Sequence, residues 1–273
     1  MAHRTPDTAG RQMSRLKCAA TSLGVAAFWI AVWAVAAYAV GNSLLLPSPA
    51  ETVARLAELA LTGEFWQCTA VSLLRVSIGI VTAVAAGVLN AALCCCSRVL
   101  DRLVFPFMTV IKSTPVASFI ILALVWLGTS PLPAFISFLM VYPLIFTNVR
   151  AGVRSVAPSV LKMAKVFRLS PFTMVKRIYA PAAYGHFVTS VKASLGLAWK
   201  AGIAAEVLAA PKYSIGKMLF QSKVYFETTD LFAWTLVIII LSLLIELVVG
   251  RLLDHAAARR MHHDTGAEKK DEV

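Results

Sequence analysis

Three ionisable side chains interrupt one apolar stretch between about His186 and Ala210: Lys192, Lys200 and Glu206. On a helix, Lys192, Gly196, Trp199, Ile203 and Glu206 share one face, and Lys200 lies about 80° from Lys192. A charge at the centre of a bilayer costs at least about 2.5 to 3.5 kcal/mol, so such groups face a water-filled cavity or a partner. Ser194, Ala198, Ala201, Gly202 and Ala205 are small enough for a neighbouring helix to approach closely. Lys192, Trp199, Lys200 and Glu206 are therefore candidates for lining or gating a polar path. The competing reading makes the charges structural ion pairs, with Lys192 and Glu206 snorkelling from opposite ends, and Trp199 simple packing.

A second chemistry lies just before this stretch. From Arg150 to Gly185 there are seven cations (Arg150, Arg154, Lys162, Lys165, Arg168, Lys176, Arg177) and no acid. Pro158 opens a helix to about Leu169 that carries Val160, Leu161, Ala164 and Phe167 on one side. Ser170 and Pro171 then supply an N-cap and a first-turn proline for a short helix through Ile178, which Pro181 ends. A basic helix-turn-helix with an apolar stripe suits docking into a groove on another protein; resting on anionic lipid headgroups is the alternative.

Enzyme chemistry finds no such support. HExxH, GxSxG and the GxxxxGK[ST] phosphate loop are all missing from the sequence, so ATP hydrolysis by a P-loop is excluded. His3, His255, His262 and His263 lie in the tails, and the five cysteines, with Cys94-Cys95-Cys96 consecutive, have neither zinc spacing nor a disulfide framework's even count. Neither a metal nor a cofactor is expected, and the cysteine run reads as small apolar residues at a helix end.

The elements that position these groups follow from composition. Of 273 residues, 59% are hydrophobic and 15% charged, with a mean hydropathy of +0.75. These values belong to an integral membrane protein. Uncharged or nearly uncharged runs predict six spans: Cys18 to Asn42, Val76 to Ser97, Leu103 across Lys112 to Leu127, Ala134 to Val149, His186 to Ala210 and Leu231 to Gly250. A cleaved signal peptide is the rival for the first run, whose apolar core is too long for one. Gly128 to Pro133 must break the uncharged residues 113–149, since one helix of that length, about 55 Å, overshoots the bilayer. Of 26 Lys and Arg, 18 fall on one side of these spans, 4 on the other and 4 within or beside them. That alternation puts both termini in the cytoplasm and excludes nucleic acid as the reason for the net charge of +12. Residues 1–17 form a cytoplasmic tail, 18–253 the membrane domain and 254–273 a disordered tail. Pro49 to Thr62 reads either as an amphipathic helix on the outer interface or as a plain connector.

Lys162-Met-Ala164-x-x-x-Arg168, followed after nine residues by Ile178-Tyr-Ala180-Pro181, resembles the EAA loop of ABC importer permeases, E-A-A-x-x-x-G-(x)9-I-x-L-P. Leu46-Pro-Ser-Pro49, Thr62-Gly-Glu-Phe65, Ser72-Leu-Leu-Arg75, Gly152-Val-Arg-Ser155 and Ala198-Trp-Lys-Ala-Gly-Ile-Ala-Ala-Glu206 look like the nitrate, sulfonate and taurine branch. The likeness covers about Leu44 to Leu253. It departs at three loop positions, where Lys162 replaces the glutamate, Arg168 the glycine and Ala180 the leucine.

The resemblance implies an all-α type I ABC importer permease with six transmembrane helices, in a prokaryotic plasma membrane. Its loop would insert a coupling helix into an ATPase cleft through Leu161, Lys162, Ala164, Phe167, Arg168, Ile178 and Pro181. Two permease copies, two ATPase subunits that bind the ATP, and an extracytoplasmic solute-binding protein are implied as partners. The branch handles nitrate, sulfonates, taurine and thiamine-pyrimidine-like precursors, and a small anion is the expected substrate. A stand-alone secondary carrier would need its own ion-coupling residues and usually an internal repeat; a membrane enzyme or scaffold subunit is the alternative outside transport.

Overall fold

The computed structural model describes residues 8–268, which contain helices and no strand. Their order is α1 (Thr8–Val40), α2 (Pro49–Ala60), α3 (Gly63–Cys96), α4 (Arg98–Ser113), α5 (Val116–Leu127), α6 (Leu132–Arg154), α7 (Pro158–Val166), α8 (Pro171–Met174), a π-helical turn (Val175–Tyr179), α9 (Ala180–Ala209), α10 (Ile215–Val224) and α11 (Thr228–Glu268). Four of them, α1, α3, α6 and α11, are long and apolar enough to cross a membrane, and the bent pair α4 and α5 would make a fifth span if counted as one. This is an all-α membrane fold.

Several helix limits differ from the expected ones, each for a local reason. The span expected from Leu103 to Leu127 is two helices meeting at 106°. Pro115 has no N–H to donate and forces Thr114 into extended backbone (φ −82, ψ 133), so the helix stops at Ser113. Helix α3 begins at Gly63 rather than Val76, because the Thr62 side chain caps its first turn at Phe65 N. Arg75 then sits within the helix. Helix α11 does not stop near Gly250; it is helical to Glu268, so residues 254–268 of the expected disordered tail are helical and 269–273 lie outside the described residues. Ala256, Ala257, Ala258, Arg259 and Arg260 are strong helix formers with no proline among them. A charge ends an apolar span without ending the helix, which is also why α1 starts at Thr8 and not Cys18.

Helix α6 is the most deeply buried of the apolar helices and lies between α3 and α9. Small residues set that spacing. A Cβ added at Gly79 of α3 would stand 2.3 Å from the Ala134 carbonyl oxygen, and one added at Gly202 of α9 would stand 2.6 Å from Ser137 Oγ. Ser137, fully buried between them, donates to the Ala198 carbonyl at 3.1 Å. The three helices therefore meet with backbones almost in contact, the packing that serves where lipid supplies no hydrophobic drive between helices. Towards one end the core contains Val141, Ile145, Phe146 and Val149 against α3 and α9. Outward-facing apolar side chains such as Phe28 and Trp29 on α1, and Ile239 and Leu243 on α11, supply the surface that lipid covers.

Within Pro49 to Thr62 the structure forms a true helix, Pro49–Ala60. In α2, Ser48 and Glu51 form a reciprocal capping box. Leu56, Leu59 and Ala60 pack against a cluster containing Phe65, Ile215 and Trp234, so this face is covered by protein. Arg55 bridges to Asp230 of α11 at 2.6 Å and to Glu58 at 2.9 Å, and these hydrogen bonds hold its guanidinium pKa above the ordinary value.

Candidate functional site: the coupling loop and helix α9

The sequence places Lys192, Gly196, Trp199, Ile203 and Glu206 on one face of α9, and the structure buries all of them but Lys192, which is half-buried. Lys192 Nζ meets Asp254 of α11 at 2.5 Å. Gly196 lies beneath the Glu246 carboxylate. Trp199, 1% exposed, donates its indole N–H to the Ile238 carbonyl at 3.1 Å. Ile203 packs with Trp234 and Val237. Glu206 is fully buried; its Oε2 accepts from Ser72 Oγ at 2.7 Å and from Gly216 N–H at 3.2 Å, and Arg75 lies 3.7 Å from its Oε1. The face expected to line a path is thus the seam against α11, α3 and α10. Helical phase showed which residues go together; it carried no information on which neighbour they meet.

Lys200 stands apart. It lies on the adjoining, exposed stripe of α9 with His186, Thr189, Ala193, Leu197, Ala204 and Leu208. Among the described residues no ion pair reaches it, and α9 is 30 residues long, so Lys200 lies well inside the helix.

The basic loop differs from expectation in three respects. Arg150 and Arg154 are not free for a partner. Asp101 of α4 accepts from Arg150 Nη2 at 2.8 Å and from Arg154 Nη2 at 2.7 Å, which fastens the end of α6 to α4. Besides Arg154, whose exposed side chain is tied to Asp101, the outward cations of the loop are Lys162, Lys165, Arg168, Lys176 and Arg177. Asp101 was missed because no local pattern marks a pairing 49 residues away.

Second, the apolar stripe is divided. Ala164 is 1% exposed and Leu161 half-buried within this chain, so neither offers its full side chain to a partner, whereas Phe167 is 70% exposed. Met163, Val166, Phe172 and Val175 extend the exposed apolar surface around Phe167.

Third, Pro181 does not end the second short helix. The Ala180 N–H bonds to the Val175 carbonyl, five residues back, and this π-turn carries the chain from α8 into α9 with Pro181 in the first turn, where a missing N–H costs little. Residues 171–209 are therefore continuously helical. Ile178 is half-buried within the turn and Pro181 is exposed.

Arg168 accounts for the glycine of the loop pattern. Its φ is +47, the left-handed region where glycine carries no Cβ penalty. Arg168 N–H bonds to the Lys165 carbonyl at 3.1 Å and Leu169 N–H to that of Ala164 at 3.0 Å, closing α7 in a Schellman motif. The backbone turn survives although an arginine adopts it, at a cost on the order of 1 kcal/mol.

The structure thus places a basic, partly apolar loop in unbroken helical continuity with the charged helix α9 of an all-α membrane fold. Residues 79–262 match the family described as binding-protein-dependent transport system inner membrane component, and the chain belongs to that family. It is 23% identical to the putative aliphatic sulfonates transport permease protein SsuC of Bacillus subtilis, over 82% of this chain and 79% of that one. It is 26% identical to the taurine transport system permease protein TauC of Escherichia coli, over 83% and 84%. Its fold matches a chain of the inward-facing MetNI methionine ABC transporter with a TM-score of 0.54 at 17% identity, over 70% of this chain and 93% of that one. The protein is thus a permease subunit of an ATP-binding-cassette importer in the plasma membrane, a transport protein rather than an enzyme, and its family works with an ATPase subunit and a solute-binding protein.

Proposed function

We propose that two copies of this permease enclose a path for a small anion, with both termini cytoplasmic and two ATPase subunits, which bind the ATP, docked on the loops between α6 and α9. The observation that carries the path is Lys200. It is an exposed cation far inside a helix whose neighbouring face packs against α3, α10 and α11, and lipid against it would cost at least about 2.5 to 3.5 kcal/mol. Water or a second copy must cover it. Two such lysines facing each other attract an anion, and relatives named for sulfonates and taurine support a substrate of that charge. Lys192, paired with Asp254, and Glu206, whose Oε2 is bonded to Ser72 and Gly216 and whose Oε1 has Arg75 at 3.7 Å but no hydrogen bond, serve as fasteners of α9. Helix α9 supplies the sixth crossing. Its 30 residues, about 45 Å of helix, are long enough despite the charges that lower its hydropathy.

Cysteine labelling tests this arrangement in a chain freed of its native cysteines. Exposed Ser130 and Lys223, changed to cysteine, should react with a membrane-impermeant maleimide from outside, and Ser155→Cys only after the membrane is opened. Lys200→Cys should react with a small charged thiosulfonate that lipid excludes. The opposite sidedness overturns the topology; an inert Lys200→Cys overturns the path.

A further inference from the structure

Helix α9 is held at both ends to elements on opposite sides of the proposed membrane. At its beginning, helical backbone runs unbroken from the coupling loop. At its end, the chain turns through left-handed Ala210 (φ 44) and Tyr213 (φ 52) and enters α10. The first turn of α10 is not satisfied by its own cap alone. Ser214 Oγ accepts from Lys217 N–H at 3.1 Å, but Ile215 N–H donates to Ser72 Oγ of α3 at 3.0 Å and Gly216 N–H to Glu206 Oε2 at 3.2 Å. Ser72 in turn donates to the same carboxylate oxygen. Arg75 donates to the carbonyls of Lys212 at 3.0 Å and Tyr213 at 3.2 Å, holding the turn between the two helices. Gly216 permits the approach, since a Cβ there would stand 2.3 Å from Glu206 Cβ.

A buried carboxylate that accepts one orphan N–H from a helix start and a hydroxyl from a third helix is a joint tying both to its own helix. Had Glu206 served only to fill the core, an apolar side chain would pack there without desolvating a charge. We propose that Glu206 is the positioning residue that makes α10 follow α9, so that movement of the coupling loop reaches the outer surface, and binding-protein contact at that surface reaches the ATPase. The proposal rests on the topology given above, which places α10 outside.

The test uses the permease with its ATPase in nanodiscs, reading assembled complex, basal ATPase rate and the rise in rate on adding loaded binding protein. Glu206→Ala should keep assembly and basal rate while the binding-protein-dependent rise falls about tenfold, the scale of an orphaned buried donor. Glu206→Gln, which keeps an acceptor for Gly216 N–H and Ser72, should restore most of the rise. Gly216→Ala displaces α10 while keeping the carboxylate, and should lose the rise as Glu206→Ala does; the double variant should be no worse than either alone. Should Glu206→Ala fail to assemble, Gly216→Ala decides. A full rise in Gly216→Ala, or losses of rise and basal rate in equal proportion, overturns the joint. If instead Lys223→Cys is labelled only from inside, the topology has failed and not the joint.

Discussion

Changing both Phe167 and Phe172 to alanine should release the ATPase from this permease, whereas reversing the charge at Lys162 should not. Phe167 is 70% exposed and Phe172 75% exposed beside the helix end at Arg168, with Val166 and Met163 adjoining. An apolar side chain of this size buried at a contact contributes about 1.5 to 3 kcal/mol, roughly 10- to 150-fold in affinity for each phenylalanine. An exposed ion pair contributes about 0 to 1 kcal/mol and is screened by salt. Packing therefore dominates over charge. In pull-down and ATPase assays, Lys162→Glu should weaken association by no more than about fivefold at low salt, with the difference vanishing at high salt. Arg168→Gly relieves a left-handed arginine and should leave association intact. A pair of silent phenylalanine substitutions would remove the docking assignment of this loop.

The largest effect on stability is expected at Gly79. A leucine there would have to enter space already held by the Ala134 carbonyl and by Ser137, whose Cβ is 2.8 Å from the position of the new Cβ. Both neighbours are anchored, one being backbone and the other a short side chain bonded to α9. Helices α3 and α6 must separate, and overpacking of this kind costs about 1 to 3 kcal/mol or more. Gly79→Leu should lower the melting temperature in detergent by several degrees, at roughly 2 to 4 °C per kcal/mol for a chain of this size, or abolish folded yield. Gly185→Ala is the matched control, because nothing lies within 4 Å of its added Cβ. It should melt at or above the parent temperature, gaining helix propensity. Equal melting of the two variants would show that the close approach of α3 and α6 is not needed.

How much of this was legible in the sequence follows from what each signal measures. Apolar run length marked the long apolar helices α1, α3, α6 and α11, and the Gly128 to Pro133 break falls where α5 ends and α6 begins. Charge marks where an apolar span ends but not where a helix ends, which is why α1, α3 and α11 outrun their expected limits. Pro115 was readable as a breaker, yet its uncharged surroundings hid it. Helical phase grouped Lys192, Trp199 and Glu206 correctly; their partners Asp254, Ile238, Ser72 and Gly216 come from distant helices and leave no local trace. Arg168 looked like a departure from the loop pattern because residue type was compared, whereas the turn depends on a backbone angle.

Nucleotide binding tests the division of labour most directly. The isolated permease should show no saturable binding of ATP and no hydrolysis, and hydrolysis should appear when the cognate ATPase subunit is added and rise further with loaded binding protein. Saturable ATP binding by the isolated permease, or binding-protein-independent uptake driven by an ion gradient without the ATPase, would contradict the account.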